Sequence, residues 1–212
     1  MQSIYGWVQT PFRERRLKLY QEVSRPTAQT TILDVGGSPW FWTGLAITGK
    51  ITVLNPDELP DEVKAGFPAF QCVGGDGCNM TYPDASFDVG FSNSAIEHVG
   101  TYEKQKAFAS EMRRVGKTLW VQTPAREFPI EPHFMAPFIH YFPRWLQRKT
   151  VRWFTILGLT SKPTPVQIEN LLNEIRLLNH REMQELFPDC EIRREKFFGF
   201  TKSYIAIRRN RH

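Results

Sequence analysis

The sequence predicts an α/β protein with a mostly parallel, open sheet of seven strands and helices on both faces. Three observations carry that expectation. Through the first 125 residues, short apolar strand candidates alternate with helical or irregular crossovers. This is the βαβ pattern of a parallel sheet covered on both sides. Polar residues and glycines gather just after the first four of those strands, where open α/β sheets bind ligands. The last 33 residues instead offer two strand candidates joined by a short link, which permits an antiparallel pair and forbids a parallel one.

Each element follows from local signals. Pro11 to Val23 reads as a helix, because Phe12, Leu19, Tyr20 and Val23 share a face while Arg and Glu fill the others. Arg25-Pro26 ends it. Thr31 to Val35 is a first strand, interrupted only by Asp34. "KITVL" (50–54) is a second, closed by the turn residues Asn55, Pro56 and Asp57. "AFQCV" (69–73) is a third, ended by "GGDG", and "SFDVGFSNS" (86–94) is a fourth. A helix over Glu103 to Val115 carries Phe108, Met112 and Val115 on one face, and Gly116 terminates it. "KTLWVQT" (117–123) is a fifth strand, stopped by Pro124. Near the C-terminus "HREMQELF" reads as a helix. "CEIRREKFF" and "KSYIAIRR" read as strands linked through Gly199 to Thr201.

The expected organisation is one domain over residues 1–212. It comprises an N-terminal helical segment (1–29), a core (30–124), an insertion (125–179), and a C-terminal helix with its strand pair (180–212). The insertion, rich in Pro, aromatics and base, does not read as a regular sheet unit. Prolines 129, 132, 137 and 143 fall close together there. Large apolar residues interleave with Arg and Lys, which suits a lid over the site. The same pattern over 134–157 suits peripheral contact with an anionic membrane.

Composition narrows the function classes. Apolar residues at 41% can bury a full core, and charged residues at 23% are ordinary for a globular protein. No run approaches the roughly 18 apolar residues of a membrane span, and the N-terminus lacks the apolar stretch of a secretory leader. Cys72, Cys78 and Cys190, with no CxxC, argue against a disulfide framework or a structural zinc site. A reducing, cytoplasmic compartment is expected, and no metal. The net charge is +5, with basic residues clustered at Arg13–Lys18, Arg144–Arg152 and Arg208–Arg211. No RNA-binding signature accompanies them, so nucleic acid is not the expected partner. The absence of G-x-G-x-x-G and of GK[ST] argues against a nicotinamide dehydrogenase and a P-loop enzyme.

Four strand tips supply polar groups to one sheet edge. Asp34, Gly36, Gly37 and Ser38 follow the first strand, Asn55 the second, and Asp76, Gly77 and Cys78 the third. Asn93, Ser94, Glu97 and His98 follow the fourth. The motifs "ILDVGG", "ITVLNPD", "GGDGCNMTYPDASFDVGFSNSAIEHV" and "EMRRVGKTLWVQTP" occur in that order. Over about Thr30 to Pro124 the chain thus resembles the class I S-adenosylmethionine-dependent methyltransferases, and within them the small-molecule, type 11-like group. The resemblance implies a Rossmann-like sheet whose C-terminal strand runs antiparallel, and S-adenosylmethionine as cofactor. It implies that Asp34, Gly36, Gly37 and Ser38 line the methionine and ribose parts, and that Asn55 meets the ribose. Asp76 would meet the adenine amino group, with Gly77 and Cys78 at the ring. Asn93 and Ser94 would present backbone to the amino-acid end. Two departures stand out. Ser38 and Trp40 occupy family glycine positions, and Asn55 replaces an acid, with Asp57 nearby. Each position also has a plain reading: Asp34 as a cap, Asp76 as turn chemistry, Glu97-His98 as a surface pair, Cys78 as a packed thiol, Trp40 and Trp42 as packing.

The implied reaction is methyl transfer to an oxygen or nitrogen of a small-molecule or lipid-linked acceptor. A base is required if the acceptor is a hydroxyl, and histidine suits that role. His98 follows the fourth strand. His133 and His140 lie just after the fifth, with Glu131 placed to orient His133 or to act itself. Two other classes stay open: a catalytically degenerate binding module that keeps the cofactor fold, and an RNA methyltransferase.

Overall fold

A computed structural model describes residues 4–43 and 49–209. Of the basic cluster at Arg208–Arg211, residues 210 and 211 lie outside that range. The leading helix, α1 (Ile4–Ser24), begins well before the Pro11 start that the sequence suggests. Pro11 costs one intrahelical hydrogen bond there without ending the helix.

β1 (Thr31–Val35) is buried over four of its five residues, as an apolar central strand of a parallel sheet must be. A short turn of helix, α2 (Pro39–Trp42), follows, with Pro39 at its start. Next come β2 (Lys50–Asn55), α3 (Asp61–Ala65), β3 (Phe70–Gly74) and β4 (Phe87–Asn93). A 3-10 turn at Ile96–His98 leads into α4 (Tyr102–Val115), capped by the Thr101 side chain, and then β5 (Gly116–Pro124). The chain closes with α8 (His180–Leu186), β8 (Glu191–Phe197) and β9 (Phe200–Arg208), after the insertion described below.

The sheet order is β3-β2-β1-β4-β5-β9-β8. β1 to β5 pair in parallel, and β9 alone runs antiparallel to both its neighbours. The strand order reverses between β1 and β4, which opens a crevice at their carboxyl ends. The β8–β9 link is tighter than the sequence suggests, with Phe198 at φ 46° and Gly199 at φ 83° between the strands. Two consecutive positive φ values are what a two-residue hairpin demands.

Each sheet face carries its own core. On one, Phe108, Met112 and Val115 of α4 and Met183 and Phe187 pack over Leu33, Leu119 and Val121. On the other, Tyr20 of α1 packs edge-on against Trp42, Phe91 and Trp120.

The insertion contains a small hairpin, β6 (Ile130–Glu131) and β7 (Ala136–Pro137), and three helices: α5 (Arg144–Phe154), α6 (Ile156–Ser161) and α7 (Pro165–Glu174). Phe134, Ile139, Val151, Ile168 and Leu172 form its separate core. Prolines hid these helices in the sequence. Pro143 precedes the first turn of α5 and Pro165 opens α7, both places where proline starts a helix.

Candidate functional site

The carboxyl ends of β1, β2, β3 and β4 surround a cleft of about 440 Å³, a size typical of small-ligand sites. Gly36, Asn55, Asp76, Gly77, Cys78 and Ser94 line it, and His98 stands at one end. Val35, Leu54 and Phe108 give it apolar walls. Gly36 sits at φ 73°, and a Cβ there would come 2.4 Å from the Ala95 Cβ. Ser94 holds φ 58° without being glycine. Its N–H donates to the Gln122 carbonyl and its hydroxyl to Gln122 Oε1, both at 3.0 Å. These two bonds hold the residue in a conformation that side chains other than glycine's rarely adopt.

Four residues expected at the cofactor lie outside this lining. Asp34 turns under the glycine turn into the core, where it is 1% exposed and accepts from Trp42 Nε1 at 2.7 Å. Its other oxygen has no partner among the described residues. Burial pushes its pKa up to about 7, against the lowering effect of the Trp42 hydrogen bond. Gly37 covers that carboxylate so closely that a Cβ would fall 1.8 Å from Oδ2. Ser38 precedes α2. Asn93 turns its amide oxygen to Arg16 Nη1 at 3.0 Å.

The residues that do line the cleft have other partners too. Asn55 donates through Nδ2 to the Gly37 carbonyl at 3.0 Å, pinning the turn. Asp76 Oδ1 accepts from the Cys78 N–H at 2.8 Å, a local turn bond. Burial, reinforced by Asp76, pushes the Cys78 thiol up to about 11, so it is a poor nucleophile at neutral pH. Trp42 is buried, whereas Trp40 is exposed and stacks edge-on against Phe67.

At the His98 end, residues from four segments converge. Glu97 is fully buried, not a surface acid, and its Oε2 accepts from Thr123 Oγ1 at 2.9 Å. Its Oε1 has no partner among the described residues. Burial raises the Glu97 pKa, opposed by nearby His133 and His98. His133 Nδ1 lies 2.6 Å from Glu131 Oε1, and His133 Nε2 lies 3.1 Å from His98 Nε2. Glu131 Oε2 also accepts from the Phe134 N–H at 2.6 Å. His98 Nδ1 is 3.3 Å from Glu174 Oε1 on α7. Burial pulls the His133 pKa down, but Glu131, Glu97 and Glu174 together more than reverse that and leave it raised. His140 does not join this group. It bonds the Arg126 carbonyl at 2.9 Å beside a different cavity, and burial lowers its pKa.

Strand alternation in the small hairpin sorts the neighbouring residues. Glu131 faces a cavity of about 380 Å³ within the insertion. Ile130 and Pro132 face an apolar pocket of about 290 Å³, with Phe12, Phe128, Met135 and Phe197. This pocket shares Ser94 with the cleft. Its polar groups are Ser94, Gln122, Ser203, Lys202 and the ion pair of Arg16 with Glu195 at 3.7 Å. The Lys202 Nζ lies 3.1 Å from the Phe12 ring centroid, and burial pulls its pKa down to about 8. Glu174, Arg16 and Lys202 carry no local sequence signal, because each reaches the site from a distant segment.

Residues 36–118 match the family described as a methyltransferase domain. An uncharacterized methyltransferase of Mycobacterium tuberculosis is 30% identical over 99 residues, 44% of this chain and 38% of that protein. The chain thus matches well under half the length of such curated relatives. Among solved structures, the YcgJ protein of Bacillus subtilis is similar with a TM-score of 0.57 at 12% identity, over 93% of this chain and 99% of that one. The cyclase SpnF is similar with a TM-score of 0.52 at 16% identity, over 84% and 58%. At these identities the solved structures speak for the fold alone. Among the described residues, no helix is long and apolar enough to cross a membrane.

Proposed function

We propose that the class I methyltransferase domain carried by this chain transfers a methyl group from S-adenosylmethionine to an oxygen or nitrogen of an apolar small-molecule or lipid-linked acceptor. The observation that carries the reading is that Ser94 lines both of two neighbouring spaces, the strand-tip cleft and the apolar pocket. The first suits a nucleoside and the second a hydrophobic acceptor. The bound cofactor supplies an electrophilic methyl, whose bond to sulfur breaks as the bond to the acceptor forms, sulfur keeping the electron pair and a base taking the acceptor's proton.

The chain's own residues bind and orient. Val35, Leu54 and Phe108 offer walls for a flat ring, and Asn55 and Asp76 offer polar contacts along it. Asn55 brings no charge, so its hydrogen bond is roughly half as strong as a carboxylate's. The strained Ser94–Ala95 segment fixes the end nearest the acceptor. Holding the two reactants in line accounts for much of the acceleration, up to about 7–11 kcal/mol in favourable systems. For a hydroxyl acceptor, the candidate base is His98, the one member of the Glu131–His133–His98 series that lines the cleft.

Isothermal titration with S-adenosylmethionine and its demethylated product tests binding. Transfer of labelled methyl to a panel of apolar hydroxyl and amine acceptors tests turnover. The absence of heat with either nucleoside sinks the reading. Binding without transfer to any acceptor favours the degenerate module, which the Asn55 amide's engagement with Gly37 supports.

A cytoplasmic protein with peripheral membrane contact through 134–157 fits the same reading. Trp145, Trp153, Phe154 and Ile156 are exposed there beside Arg144, Lys149 and Arg152. Exposed aromatics among cations suit an anionic lipid surface.

A further inference from the structure

Glu97, His98 and His133 each offer one ligand-type atom, and these atoms lie within 4.8 Å of one another. Both histidines have Nδ1 beside a carboxylate: His133 on Glu131 at 2.6 Å, His98 on Glu174 at 3.3 Å. With each Nδ1 proton directed to its carboxylate, both Nε2 atoms present lone pairs to each other across 3.1 Å. That approach is satisfied either by one ring donating a proton to the other or, with both lone pairs facing, by a cation between them. A shared proton would serve the two rings but would leave Glu97 Oε1 buried and unpartnered. A metal ion satisfies all three donors.

We propose that Glu97, His98 and His133 bind one divalent cation of the Zn²⁺ type, with Glu131 and Glu174 as its outer support. The donor set suits that ion. Two imidazoles and a carboxylate favour zinc or its first-row neighbours over Mg²⁺ or Ca²⁺, which prefer all-oxygen shells. Tetrahedral bonds of about 2.0–2.1 Å set two ring nitrogens roughly 3.3 Å apart, close to the observed separation. A carboxylate behind each ligating histidine fixes its tautomer and strengthens it as a donor. Thr123 holds the other oxygen of Glu97, which aims Oε1. The sequence conceals this set because it has no cysteine pair and no repeated histidine spacing. Its ligands come from the turn after β4 and from the hairpin of the insertion.

Three protein donors leave a fourth position open, as in catalytic zinc sites. His98 is the one ligand of the three that also lines the cleft, which links the two sites. The consequence for the acceptor rests on the methyl-transfer reading: a hydroxyl bound at the open position would lose its proton more readily. Cation binding itself does not depend on that reading.

The test uses the full chain freed of metal by chelation. Zn²⁺ titrated calorimetrically, and Co²⁺ followed by its visible absorption, should each bind at one ion per chain. His133→Ala and Glu97→Gln should weaken binding at least tenfold, and Glu131→Gln by roughly 10–100-fold. His140→Ala should bind normally, and circular dichroism confirms that each variant is folded. Failure of the folded wild-type chain to bind either ion, or binding unchanged in folded His133→Ala, overturns the proposal. S-adenosylmethionine titrated into the metal-free chain reports separately on the cleft. Its binding there, with no metal bound in the parallel titration, would remove the cation and leave the methyl-transfer reading standing.

Discussion

Trp42 Nε1 donates to Asp34 Oδ2 at 2.7 Å inside the core, so the acid expected at the cofactor is held beneath the glycine turn. Burial lifts the Asp34 pKa to about 7, well above its value in the unfolded chain. The unfolded chain therefore ionises near pH 4 while the folded one still holds its proton. Stability contributed by this group is full below about pH 4, falls as pH rises toward 7, and is flat above. Asp34→Asn keeps an oxygen for Trp42 and removes the charge. It should match the wild type at pH 4 and exceed it at pH 8, by up to roughly 4 kcal/mol. Urea midpoints at the two pH values check this, and an equal shift at both would refute it.

Gly36→Ala tests the cleft itself. The residue sits at φ 73°, and the added methyl would fall 2.4 Å from the Ala95 Cβ. A non-glycine residue in that region costs about 1–2 kcal/mol, and Ala95 must also move. Affinity for S-adenosylmethionine should drop at least tenfold by calorimetry. Unchanged affinity in the folded variant would place the nucleoside elsewhere.

These residues also show what the sequence could disclose. "ILDVGG" and "SFDVGFSNS" announce β1 and β4 because strand propensity and turn chemistry are local; the strand order is not written there, but a parallel sheet brings its carboxyl ends to one edge whatever the order. The polar strand tips therefore pointed to the cleft before any coordinates. Asp34 was misplaced because its direction depends on Trp42, eight residues on, which fills the space beneath the turn. His98 and His133 stand out as candidates, but their meeting depends on hairpin register and on α7 bringing Glu174. No period in the sequence encodes that. The helices of the insertion were missed because proline reads as a breaker while serving here to begin helices.

Lys202 offers a second pH test of opposite sign. Its Nζ is buried over the Phe12 ring with no hydrogen-bond acceptor among the described residues. Burial lowers its pKa to about 8, with Glu195 opposing and Arg16 assisting. The folded state thus disfavours the charged form, so stability should rise as pH climbs from about 8 toward 10. Lys202→Met should be more stable than the wild type at pH 7, with the gain shrinking by pH 10. A gain that does not change between those values would show that packing, not charge, is responsible.

The exposed surface of α5 yields the last prediction. Trp153 and Phe154 are 65% and 75% exposed at the end of α5, and neither belongs to the insertion's own core. Arg152 lies 5.5 Å from the Trp153 ring, and Lys149 lies 5.7 Å from the Trp145 ring. Cations beside exposed aromatic rings let one surface meet lipid headgroups and acyl chains together. Burying one such ring is worth about 1.5–3 kcal/mol, so replacing both by serine should weaken binding to phosphatidylglycerol vesicles by more than tenfold. The thermal midpoint should move little, because no core contact is lost. Neutral phosphatidylcholine vesicles should bind the wild type more weakly, and added salt should reduce the difference between the two lipids. Equal sedimentation of the double variant and the wild type with anionic vesicles would show that this surface does not meet the membrane.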